Sequence, residues 1–324
     1  MAGTPGHPFN GTSHSEMLRF TVIRLGLALL TLVTVSLVAF FMTWVAGDPA
    51  IAIAGDTASA EDIAAVRDHY GLDRPLGVQY VDWASRALRG DFGMSFHFDR
   101  PVADMLADRL PVTLRLALSS ILFAICIAIP LGVLAAVYNN TIIDRAALTF
   151  AILGQAIPTF WFALMMMIFF GITLRWLPIS GGGSWKHYVM PTIALGYFAM
   201  PVLMRLTRAG MLEALDSDYI RTARAYGLPA RSVLFRHALR NAILPVVALA
   251  AVQFGFMLGG SIVIETVFSL PGIGWLGYDA ILRGDLPVVQ AILLLVASFY
   301  VVLTFLSDLL NAAIDPRLRR VRVG

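Results

Sequence analysis

Six stretches of this 324-residue chain contain no Asp, Glu, Lys or Arg: 25–47, 116–143, 146–174, 187–204, 241–264 and 286–307. At 1.5 Å of helix rise per residue, runs of this length match a hydrocarbon core about 30 Å thick. No other property of the sequence restricts the fold so strongly. Inside lipid the backbone has no water to bond, so each run is expected as a membrane-spanning helix. Overall charge is only 14%, but the segments between the runs carry about a quarter charged residues, the density usual in soluble proteins. A soluble single-core enzyme is therefore excluded. A disordered chain and a disulfide scaffold are excluded too, since Cys126 is the single cysteine and lies inside an apolar run.

The first run is longer than the roughly 7–15 apolar residues of a secretion signal. It ends in Gly47-Asp48-Pro49 rather than a small-x-small cleavage site, so it reads as a retained helix. Arginine sets the orientation. With the N-terminus inside, the inner segments 1–24, 144–145, 205–240 and 308–324 hold 14 Arg against 7 acidic residues, while the outer segments are net acidic. The expected layout is a disordered cytoplasmic tail over 1–16, a first span over 17–47 and an outer helical segment over 48–110. Five further spans over 111–314 and a basic cytoplasmic tail over 315–324 complete it.

Two polar segments carry helix signals. In 48–110, Ser59-Ala60-Glu61-Asp62 can cap a helix bearing Ile63, Val66 and Tyr70. Val81, Ala84 and Leu88 repeat the helical spacing before Gly90, and Val102, Met105 and Leu106 repeat it after Pro101. In the arginine-rich loop 205–240, a helix from near Ser217 is expected to place Ile220, Ala223 and Tyr226 on one face. A second, from near Pro229, is expected to align Val233, Leu234 and His237. Two short helices bent at Gly227 suit a groove on another protein. A nucleic-acid partner is disfavoured because spans pin the loop at both ends, whereas contact with anionic headgroups is compatible with docking.

Polar groups within the spans are few. Arg115 can snorkel to the headgroups at the end of the second run. Gln155, Gln253 and Glu265 are candidate pathway or gate residues, with cross-helix bonding for the glutamines and loop bonding for Glu265 as the alternatives. Pro130, Pro158, Pro191, Pro201 and Pro245 favour kinked spans. Lys186 is the single lysine and follows Trp185, so a G-x-x-x-x-G-K-[ST] nucleotide loop is excluded. Gly272-Ile273-Gly274-Trp275-Leu276-Gly277 matches G-x-G-x-x-G without the βαβ context of a dinucleotide site and is expected as a flexible or re-entrant loop bending at Pro271. No metal-ligand spacing or nucleophile set is found, so neither cofactor nor enzyme activity is expected.

From about Met17 to Arg320 the chain resembles permease subunits of the dipeptide/oligopeptide/nickel family of ABC importers. The markers are Gly47-Asp48-Pro49, Gly71-Leu72-Asp73-Arg74-Pro75, Gly90-Asp91-Phe92-Gly93, Ile157-Pro158-Thr159-Phe160-Trp161 and Trp176-Leu177-Pro178-Ile179-Ser180-Gly181. They continue through Asp218-Tyr219-Ile220-Arg221-Thr222-Ala223-Arg224-Ala225-Tyr226-Gly227-Leu228, Glu265-Thr266-Val267-Phe268 and Asp315-Pro316-Arg317. Against the general permease signature E-A-A, three residues, Gly, nine residues, I-x-L-P, this loop keeps Ala223, Gly227 and Leu239. Arg221 replaces the Glu, and Tyr226 stands where a Lys is usual.

The resemblance implies an all-α, six-span type I importer permease in a bacterial inner membrane, with both termini cytoplasmic. It implies a second permease chain, two cytoplasmic ATPase subunits and an extracytoplasmic binding protein as partners. Arg221, Ala223, Arg224, Gly227, Leu228 and Arg231 would make the coupling contact with the ATPase. Di- and oligopeptides lead as the solute, nickel or another small solute being the alternative. An ATP-independent secondary transporter is the rival from another class, and it predicts ionisable residues deep in the spans or an inverted repeat.

Overall fold

A computed structural model describes residues 12–45, 47–55 and 58–314, and every named element in them is helical. The expected tail residues 1–11 and 315–324, and with them Asp315-Pro316-Arg317, lie outside the described residues. Helix α1, Thr12–Val45, starts within the stretch read as a tail. Thr21, Thr31 and Thr34 each donate to the carbonyl four residues back at 2.8–2.9 Å, so these hydroxyls are satisfied on the helix itself.

The segment after α1 folds as α2 (Pro49–Ala54), α3 (Ala60–His69) and α4 (Leu76–Ala87). Ser59 and Asp62 form the capping box that starts α3, the Ser59 hydroxyl donating to Asp62 Oδ2 at 2.6 Å and the Ser59 N–H at 3.1 Å. Val102, Met105 and Leu106 do not belong to a separate small helix. They open α5, Val102–Val137, which runs unbroken through Pro111 and Pro130. The charges that end the apolar run do not end the helix.

Five helices are long and apolar enough to cross a membrane, and a sixth span arises if a bent pair is counted as one. That pair is α6 (Ile142–Ala156) and α7 (Thr159–Met166, continued as a π-helix to Thr173), bent by 98°. The break is local chemistry: Ile157 is extended at φ −88°, ψ 123°, as the residue before a proline prefers. Of the five prolines expected to kink spans, Pro158 breaks the chain into two helices. Pro130, Pro191, Pro201 and Pro245 sit inside continuous helices.

Helix α8 (Lys186–Asp216) packs along α5 in parallel at the centre of the bundle. Small residues permit this close approach. A Cβ on Gly196 of α8 would lie 2.5 Å from the Ser120 carbonyl oxygen, and one on Gly132 of α5 would lie 2.7 Å from that of Met204. α9 (Asp218–Ala225) and α10 (Ala230–Ser232) lead through a π-turn, Val233–Ala238, into α11 (Leu239–Val267). α12 (Ile273–Arg283) and α13 (Leu286–Ile314) follow, and α13 carries α1 on its outer side. Gln290 donates to the Ala39 carbonyl at 3.0 Å near one end of that pair, and Arg24 meets Asp308 at 3.0 Å near the other.

Three apolar clusters organise the packing. The central one joins α5, α8 and α11. A second, at the end bearing α2–α4 (the cap end), joins Val102, Met105 and Leu106 of α5 to α12 and α13. The third, at the arginine-rich end, joins Val133 and Ala136 of α5 to α8, α9 and the start of α11.

Candidate functional site

The arginine-rich loop is ordered by its apolar residues. α8 continues to Asp216, so the first third of 205–240 is simply the end of that helix. Ser217, extended at φ −70°, ψ 153°, breaks the chain between α8 and α9. Ile220 (0% exposed) and Ala223 (8%) then face Met211, Ala214, Val233 and Ala242. α9 is thus seated on the ends of the spans. Its C-terminus closes in the arrangement usual for a glycine stop: Leu228 N–H donates to the Ala223 carbonyl at 3.3 Å and Gly227 N–H to that of Arg224 at 2.9 Å. Gly227 sits at φ +74° with nothing within 4 Å of a would-be Cβ.

The residues read as ATPase contacts divide accordingly. Arg221, Arg224, Gly227, Leu228 and Arg231 are exposed on the outward side. Ala223 points into the bundle, where another protein does not reach it. Tyr226, expected on one face with Ile220 and Ala223, is 83% exposed. Each three-residue step falls about 60° short of a full turn, so two steps from Ile220 carry Tyr226 off the buried stripe. Arg221 meets Asp216 and Asp218 at 3.4 and 3.3 Å, whereas Arg224 and Arg231 have no ion pair among the described residues. In the second helix Val233 is buried, but Leu234 and His237 are only half-buried, as the π-turn shifts the register.

Beside this surface lies an ion pair that a count of arginines does not reveal. Arg208 Nε and Nη2 donate to the two oxygens of Asp144 at 2.6 and 2.8 Å, and Asn140 N–H adds a third bond at 2.9 Å. Asp144 is 2% exposed. This two-pronged contact ties the first turn of α6 to α8. One level further along, Arg205 Nη1 donates to Gln155 Oε1 at 2.9 Å, next to the break at Pro158. The useful sequence signal was the lone acid in the two-residue segment 144–145.

Gln155, Gln253 and Glu265 are not brought together. Gln155 belongs to the α6–α8 contact, and Gln253 is half-buried on α11 without a side-chain hydrogen bond among the described residues. Glu265 lies twelve residues further along α11, about 18 Å of rise. It is fully buried and bonds to α5 and to the first turn of α12: Thr113 Oγ1 donates to Oε1 at 2.7 Å and Trp275 N–H to Oε2 at 3.0 Å. Thr113 Oγ1 in turn accepts from Ile273 N–H at 2.8 Å. Residues 272–277, expected as a flexible or re-entrant loop bending at Pro271, hold the Gly272 cap and the start of α12, so the stretch is helical. The glycines are there for contact, since a Cβ on Gly274 would lie 2.6 Å from Ile262 Cα. Nearby, Asp285 accepts from the Ser95 hydroxyl and from Phe96 N–H at 3.2 Å, binding the segment between α4 and α5 to the α12–α13 turn.

Residues 128–320 match the family described as binding-protein-dependent transport system inner membrane component, and residues 17–117 match its N-terminal companion. The chain is 42% identical over 304 residues to the glutathione transport system permease protein GsiC of Escherichia coli (strain K12), covering 94% of this chain and 99% of that protein. It is 41% identical, with the same coverage, to the protein of that name from Salmonella typhi. Among solved structures, an inward-facing MetNI methionine ABC transporter chain aligns with a TM-score of 0.55 at 22% identity, over 65% of this chain and 96% of that one. That likeness establishes the type I importer permease architecture. The chain therefore belongs to the binding-protein-dependent inner-membrane component family and is a permease subunit of an ABC importer.

Proposed function

We propose that this permease imports di- and oligopeptides, forming half of a pathway completed by a second permease chain. Two cytoplasmic ATPases drive it through the outward side of α9 and α10, and a binding protein delivers solute to the cap end. The N-terminus, the loop 205–240 and the C-terminus face the cytoplasm. The observation that carries the reading is the divided α9. One side is locked into the bundle by Ile220 and Ala223, while the other presents Arg224, followed by the exposed Leu228 and by Arg231 of α10, the two arginines having no ion pair among the described residues. A helix fixed to the span ends can pass a push from outside into the spans as a rigid body. Peptide as solute is supported by the relatives named as glutathione permeases, glutathione being a tripeptide.

Arg224→Glu combined with Arg231→Glu is the direct test in the assembled importer. Loss of ATPase co-purification together with loss of trialanine uptake is expected. Full retention of both would sink the docking assignment. Import of trialanine without any ATPase subunit would point to a secondary transporter instead.

A further inference from the structure

Arg115 is exposed and forms no hydrogen bond or ion pair among the described residues. It stands two residues beyond Thr113, about 200° around α5, and so turns away from the Glu265 contact. It lines a groove of about 680 Å³ between α5, α8 and residues 182–185. Ser119, one turn along α5, lies 2.6 Å from Thr192 of α8, hydroxyl oxygen to hydroxyl oxygen, and both line the groove. Tyr188, Ser184 and Trp185 complete its polar and aromatic rim.

The groove opens on α5 and α8, the two most buried of the candidate spans, not on the peripheral α1. A wall facing lipid calls for apolar side chains. Here, beside the apolar Phe123, Val189 and Ile193, the lining holds a guanidinium, a hydroxyl pair, a tyrosine and a serine, more polar groups than lipid alone would favour and in keeping with a cavity on a transport route. Its volume falls within the roughly 300–1,000 Å³ of small-molecule sites. A planar guanidinium fork matches a carboxylate in geometry and charge.

We propose that this groove is a station for the travelling solute at the cap-end mouth of the pathway. Arg115 receives the solute's carboxylate, the Ser119–Thr192 pair bonds its backbone, and Trp185 and Tyr188 lie against its side chains. The assignment rests on the peptide-importer reading above. A lipid phosphate offers the guanidinium the same charge, so the test must separate the two sources.

The importer, assembled with its partner permease, ATPases and binding protein, is placed in two sets of vesicles, one zwitterionic and one containing anionic lipid. Uptake of trialanine and trialaninamide is measured for wild type, Arg115→Gln and Arg115→Lys, each variant being compared with wild type on the same peptide. The binding protein's own preference then cancels. Arg115→Gln is expected to lose about tenfold or more on trialanine and less than threefold on the amide, equally in both lipids. Arg115→Lys is expected to recover much of the loss, with ATP hydrolysis stimulated by the loaded binding protein retained throughout. If wild type refuses the amide, the trialanine loss and its recovery by lysine, in both lipids, must still appear. Should Arg115→Gln fail to assemble, the Ser119→Ala/Thr192→Val pair must slow trialanine uptake in its place. Unchanged uptake, equal losses on the two peptides, or a defect confined to one lipid overturns the station. Failure of wild type to import either peptide instead overturns the peptide reading beneath it.

Discussion

Removing the Glu265 side chain strands two polar groups at once, the Thr113 hydroxyl and the Trp275 N–H. An unsatisfied buried donor costs about 1–3 kcal/mol, so Glu265→Ala is expected to lower the thermal midpoint of the purified protein clearly. Glu265→Gln keeps one acceptor oxygen and is expected to cost less. Asp144 and Arg208 allow a sharper measurement. Arg208→Ala leaves the Asp144 carboxylate with the Asn140 N–H alone, a change expected to cost about 1–3 kcal/mol. The double variant Asp144→Ala/Arg208→Ala should be less destabilised than the sum of its parts, and a strictly additive result would show that the contact carries no coupling. Charge marks Glu265 and Asp144 in the sequence, each at the edge of an uncharged run, but does not say what they bond. Their partners lie 152 and 64 positions away, and only the packed helices bring them together.

Elements were readable where local chemistry decides them. The capping box of α3 and the glycine stop of α9 are written in a few adjacent residues, and the structure has both. The Asp62 carboxyl is held below the usual carboxylate range, chiefly by the Ser59 hydroxyl and next by its N–H. A carboxyl so lowered supports the helix start at neutral pH, and that support is lost as pH falls through the lowered value. Amide exchange in α3 should therefore quicken on acidification, and Ser59→Ala should remove most of that dependence. At Gly227 the left-handed backbone, not crowding, sets the requirement. Gly227→Ala should destabilise by about 1 kcal/mol, and Gly227→Asn by less, as read from thermal midpoints and co-purified ATPase. α12 was missed because three glycines in six residues argue against a helix, while packing against α11 reverses that preference. The start of α5 was missed because charge was taken as its boundary.

At the scale of the whole molecule, the charge-free runs coincide with the five candidate spans among the described residues and with the bent α6–α7 pair. What they do not contain is the assignment of faces, because in lipid an exposed Leu and a buried Leu read alike. The two ends, however, differ in sign, and that is checkable. In a Cys126→Ser background, Arg89→Cys at the cap end should react with an impermeant maleimide added to intact cells. Arg236→Cys at the opposite end should react after lysis alone. The reverse pattern would overturn the orientation. The 36 residues of α5 span about 54 Å, well beyond a hydrocarbon core of about 30 Å. Val102 at one tip is locked against α12 and α13, and Val133 and Ala136 near the other support α9. One rod thus has a handle in each compartment, and a lever so mounted cannot be tilted at one end without reporting at the other.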